Sequence, residues 1–153
     1  MNEIILMSAV DREVAGQMGI YVKSPVWSHV EDRLRRAFTF GGGVQLEIGY
    51  PETDSRIRLG LSMTMNAHPG NCRIVYSPVE ELGEKSRIHE WWQSNDLPFS
   101  GTMVFNDHPF DNRTVCYSFD TVRTIFEDFF DKHDLSEPSM VQFRSVWDKK
   151  PRS

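Results

Sequence analysis

From Val44 to Tyr76 the apolar side chains fall on every second residue, a pattern that a strand satisfies and a helix does not. Val44, Leu46, Ile48 and Tyr50 alternate with Gln45, Glu47 and Gly49. After the turn Pro51-Glu-Thr-Asp-Ser, the residues Ile57, Leu59, Leu61, Met63 and Met65 keep the register over five apolar positions. His68-Pro-Gly-Asn turns the chain again, and Cys72, Ile74 and Tyr76 resume the alternation. A period of two gives each strand one face for a core and one for water. Links this short connect neighbours in an antiparallel meander.

Helical spacing brackets the meander. Ser24-Pro25 reads as a cap followed by Pro at the first helical position. Trp27, Val30, Leu34, Ala37 and Phe38 then repeat at three and four, and Gly41-Gly-Gly ends the helix. Gly101-Thr-Met-Val-Phe-Asn, a turn rich in Asn, Asp, His and Pro, and the returning Thr114-Val-Cys-Tyr predict a hairpin. Ser118 caps a second helix with Val122, Ile125, Phe126 and Phe129 on one side. A first strand within Met1–Val10, a helix near Lys85–Gln93 and a last strand over Met140–Trp147 complete the reading. It describes a single α+β domain over residues 1–153, an antiparallel meander sheet with helices packed mainly on one face. A chain of 153 residues buries roughly 68–70% of its unfolded surface, enough for one core.

Charge and cysteine content narrow the function. The net charge is −5 and no basic run exceeds Arg35-Arg36 or Lys149-Lys150. Direct nucleic-acid binding needs a positive footprint that this chain lacks. No stretch approaches the ~20 apolar residues of a membrane span, and Glu3 stands where a secretory signal carries a base. Cys72 and Cys116, too few for a disulfide framework, suit a reducing cytoplasm.

Catalytic patterns are sparse. His89-Glu90, Asp107-His108 and Asp131-Lys-His133-Asp134 set carboxylates beside imidazoles without metal-site spacing, so neither metal nor cofactor is expected. One alternative is a small hydrolase or nuclease using the turn histidines His68 and His108 with Arg73 or Lys85. Another is a non-catalytic adaptor domain.

Acids point instead to binding. Asp120, Glu127 and Asp131, with Asp128 beside them, lie opposite the apolar stripe of the second helix. The helix dipole accounts for Asp120 in the first turn but opposes acids in the C-terminal half. Glu127, Asp128 and Asp131 are therefore expected to contact a partner, and their replacement by Lys to leave the fold intact. A second candidate surface combines Glu80, Glu81 and Glu84 with Trp91 and Trp92. Within one helix, adjacent tryptophans cannot both face a core, so one is expected to stay partly exposed as an interface anchor.

Phe40-Gly-Gly-Gly-Val-Gln-Leu leading into the meander, Asp111-Asn-Arg-Thr-Val-Cys before the acidic helix Phe119–Asp131, and the closing Val141-Gln-Phe and Val146-Trp147 carry a family likeness. Over about two-thirds of its length the chain resembles the immunity proteins that bacteria encode beside polymorphic or contact-dependent toxins. The resemblance implies a cytoplasmic inhibitor without activity of its own. Its partner would be a cognate toxin domain such as a nuclease or deaminase. Carboxylates standing where phosphates would sit would face that toxin's basic cleft.

Overall fold

The computed structural model describes residues 3–13, 19–53, 55–78, 88–94 and 96–148. Along the chain run β1 (Ile4–Asp11), β2 (Ile20–Lys23), α1 (Trp27–Phe40), β3 (Gly42–Thr53), β4 (Arg56–His68) and β5 (Asn71–Pro78). They are followed by β6 (His89–Trp91), β7 (Thr102–Phe105), β8 (His108–Asp111), α2 (Phe119–Lys132), α3 (Glu137–Met140) and β9 (Phe143–Ser145). Seven of the described strands form an antiparallel sheet in the order β2-β1-β3-β4-β5-β6-β9, while β7 and β8 make a separate hairpin. The fold is α+β, with β3-β4-β5 as the meander that the alternation requires.

Strand register explains the core. Ala9, Val44, Met65 and Ile74 stand in one row across the sheet, and Met7, Leu46, Met63 and Tyr76 in the next. Val30, Leu34 and Ala37 of α1 and Val122, Ile125, Phe126 and Phe129 of α2 close over these rows. Each large apolar side chain so buried contributes about 1.5–3 kcal/mol. Trp27 against Phe130 and Phe38 against Phe119, with ring centroids 5.5 and 5.6 Å apart, join the two helices.

Five expectations are corrected in detail. Helix α1 begins after Val26, two residues beyond the Ser24 cap; Ser24 instead takes φ 54° and its N–H donates to the Ile5 carbonyl at 2.8 Å. The five-position register of β4 is broken by a bulge: Glu47 pairs with Ser62 but Gly49 with Leu59. The extra residue turns Ile57 and Leu59 to the face away from the helices. There a Cβ on Gly49 would meet Ile57 at 2.8 Å and Ile4 and Leu6 at 3.3 Å, so glycine is required. The hairpin returns at His108, inside the segment read as turn, because Asn106 and Asp107 take φ 50° and 66° in a two-residue turn. Residues 89–91 form a strand in place of a helix, pairing with Val75 and Tyr76 on one side and with β9 on the other. The last strand shrinks to Phe143–Ser145 behind the short α3.

Other expectations hold. Gly41 caps α1 at φ 90°, and Gly42 follows at φ 136°, where a Cβ would lie 2.1 Å from the Val10 carbonyl oxygen. Ser118 accepts the Thr121 N–H at 3.2 Å at the start of α2. Cys72 and Cys116 are buried thiols, held opposite each other by paired backbone hydrogen bonds of 2.9 and 2.7 Å. No helix among the described residues is long and apolar enough to cross a membrane.

Candidate partner-binding surface

The face of the sheet turned away from α1 and α2 is divided in two. Over β5 and β6 it is closed by the β7–β8 hairpin and the 3-10 turn Asn112–Thr114. Arg73 of β5 donates to Thr114 Oγ1 at 3.3 Å, pairs with Glu90 of β6, and lies 3.6 Å from the centroid of Phe110. Burial lowers the Arg73 pKa below its ordinary value, more than Glu90 raises it. Arg113 grips Asp111 with two hydrogen bonds of 3.0 and 2.8 Å, and both Arg113 and Arg144 approach the Trp92 ring, at 4.8 and 4.3 Å. His68 donates from Nε2 to the Val104 carbonyl at 2.7 Å and stacks on Phe105. These contacts engage Arg73 of β5, Glu90 of β6 and His68 at the end of β4 in holding the hairpin down.

Over β1, β3 and β4 the same face is open around Ser8, Val10, Gln45 and Thr64. Pairing places Ser8, Gln45 and Thr64 in one row, Val10, Gly43 and Asn66 in the next, and Leu6, Glu47 and Ser62 on the other side. Because Gly43 has no side chain, a hollow of about 310 Å³ forms there, lined among others by Ser8, Gln45, Thr64, Asn66 and Val10. No side-chain hydrogen bond links Ser8, Gln45, Thr64 or Asn66 to any other described residue. Val10 is 43% exposed, and Tyr21, opposite Ser8 on the edge strand β2, is 64% exposed.

Glu47 sits at the margin of this open region, between Leu6 and Ser62, which are 2% and 4% exposed. It is half-buried, and burial raises its pKa above the usual carboxylate value. Among the described residues it has neither an ion pair nor a hydrogen bond. The nearest cation in its row is Lys23 of β2, opposite Leu6 and hence two strands away, roughly 9–10 Å at the backbone.

The residues singled out in the sequence are dispersed. Asp120 and Asp131 are exposed and Glu127 half-buried on the helix layer, behind the sheet from the hollow; Asp120 pairs with Arg123 at 3.1 Å. Asp128 is not free for a partner. It accepts hydrogen bonds from Ser136 N and Oγ at 2.7 and 2.8 Å and from Lys132 Nζ at 2.7 Å, tying α2 to the start of α3. Burial would raise its pKa, but those hydrogen bonds outweigh it and hold the carboxyl below its ordinary value. Trp91 and Trp92 are 8% and 6% exposed, correcting the expectation that one stays open. In a strand, adjacent side chains point to opposite faces: Trp91 enters the helix-covered core, and Trp92 goes under the arginines. Glu80, Glu81 and Glu84 lie outside the described residues.

Of the two cations named for the histidine alternative, Arg73 is buried against Glu90 and Lys85 lies outside the described residues. No three His, Cys, Asp or Glu side chains converge among the described residues as a metal site would require.

No protein-family model matches the chain, and no curated protein sequence does. Its fold is similar to the crystal structure of a hypothetical protein from Neisseria gonorrhoeae, at 12% identity and a TM-score of 0.59, covering 88% of this chain and 92% of that one. At that identity the likeness concerns the fold alone.

Proposed function

We propose that this chain is a cytoplasmic immunity protein that neutralises a cognate bacterial toxin domain by binding it, with no chemistry of its own. One observation carries the reading: half of a sheet face is sealed by its own hairpin, while the other half gathers Ser8, Gln45, Thr64 and Asn66 around a hollow with their hydrogen-bonding capacity open. Such groups gain nothing from folding and are satisfied by water until a partner replaces it. The net charge of −5 favours encounter with a basic toxin cleft, and the outward Asp120, Glu127 and Asp131 add to that long-range attraction.

Growth rescue tests the proposal. Whatever domain is encoded immediately upstream of this gene is expressed with and without the chain, and the purified pair is titrated by calorimetry. Restored growth with a one-to-one complex is the expected result. A neighbouring domain that stays toxic and forms no complex sinks it.

A further inference from the structure

Resting on that reading, we infer that the open half-sheet is the docking surface for a basic segment of the partner, and that Glu47 receives an arginine side chain there. The inference joins two features of the same strand. Between its glycines at 43 and 49, β3 carries only Gln45 and Glu47 on this face; Ile57, Ile4 and Leu6 fill the Gly49 end, so a partner reaches the backbone from the Gly43 side, where the hollow lies. The one acid on this floor is half-buried, and no described residue supplies it with a cation.

Charge complementarity chooses the occupant. Elsewhere the fold does not leave a buried carboxylate alone: Asp11 is met by Arg33 and Arg36, Glu90 by Arg73, and Asp111 by Arg113. In each case the cation is a guanidinium, whose planar fork matches a carboxylate with two parallel hydrogen bonds. Glu47 repeats the acid half of that arrangement with the other half missing. Gln45, two residues along β3, and Thr64 opposite Gln45 can accept further N–H groups. The like-signed Lys23, two strands away, is too distant to fill the position.

The test uses the full chain, isotopically labelled for NMR, titrated with Nα-acetyl-arginine-N-methylamide and, in parallel, with the uncharged citrulline analogue. The expected result is amide shifts centred on Gln45, Glu47 and Thr64 for the arginine probe alone. Binding of that probe should be roughly tenfold weaker in Glu47→Gln, the loss expected for one charge-assisted hydrogen-bonded contact. Shifts centred instead on Asp120, Glu127 and Asp131, or an unchanged affinity in Glu47→Gln, overturn the assignment. So does a hollow that takes simple sugars and shows no preference for arginine over citrulline. A second arm keeps this inference distinct from the function proposed above. If the wild-type chain rescues growth and Glu47→Lys, melting like wild type, rescues equally well, the docking site falls and the immunity role stands. If the wild type rescues nothing, the role falls and the arginine titration still decides the site.

Discussion

Glu90 and Glu47 occupy the same face of one sheet and have opposite surroundings. Glu90 lies under the hairpin against Arg73, sealed by Phe110 and Thr114. Glu47 lies three strands away, beyond β5 and β4 on β3, half-exposed and without a cation. A paired charge that is fully enclosed serves the fold. One that is half-enclosed and unpaired opposes the fold slightly.

Breaking the closed half should have the largest effect. Arg73→Met removes the guanidinium that pairs with buried Glu90 and should lower the unfolding free energy by about 3–5 kcal/mol in urea titrations. The double variant Arg73→Met with Glu90→Met should recover most of that loss, since the enclosed pair gains little over apolar packing of similar volume. If the double variant is as unstable as the single, the hairpin depends on the charges for more than mutual compensation.

Asp128→Ala comes next. It removes the acceptor for Ser136 N and Oγ at the α2–α3 junction and should cost about 1–3 kcal/mol by the same measurement. Asp128→Lys should be no milder, which corrects the expectation that lysines at Glu127, Asp128 and Asp131 leave the fold untouched.

Smaller still, and of opposite sign, is Glu47→Gln. Burial raises the folded pKa of Glu47, so its neutral form is favoured in the fold. That contribution is fully present below the unfolded value of about 4.3 and is lost as pH rises through the higher folded value. At pH 7 the glutamine variant should therefore be slightly more stable than wild type, with the gap closing on acidification to pH 4. Urea unfolding at the two pH values reads this, and a glutamine variant less stable at pH 7 would show that Glu47 is used by the fold. The least effect on stability is expected from Asp120, Glu127 and Asp131 changed together to Lys, within about 0.5 kcal/mol for exposed sites. In stopped-flow measurements with the toxin domain, that variant should slow association and leave dissociation unchanged.

Architecture was largely legible in the sequence because it rests on periodicity. Val44–Tyr76 gave the meander, and Val122–Phe129 with the Ser118 cap gave α2. Details failed where one residue or one distant contact decides. The β4 bulge adds a single residue that alternation cannot reveal, and the Asn106-Asp107 turn was hidden by a Pro and a His that belong to the returning strand. The site was much less legible. Exposed acids on α2 stand out in a helical projection, whereas Ser8, Gln45, Glu47 and Thr64 look like ordinary water-facing strand positions. Only the pairing order shows that such positions on β5 and β6 are sealed by a hairpin and those on β1, β3 and β4 are not. Arg73 and Glu90 mislead in the same way, since a charged residue in the polar phase of a strand reads as solvated until something covers it.

Strand β3 has a consequence for how such a protein can change over generations. Val44, Leu46 and Ile48 are buried under the helices, and Gln45 and Glu47 between them face the opposite way. A substitution at 45 or 47 changes the chemistry of that face without touching the packing under the helices. On the proposed docking role, partner choice and folding would be written on alternate letters of one short segment, and the first could drift while the second is held fixed.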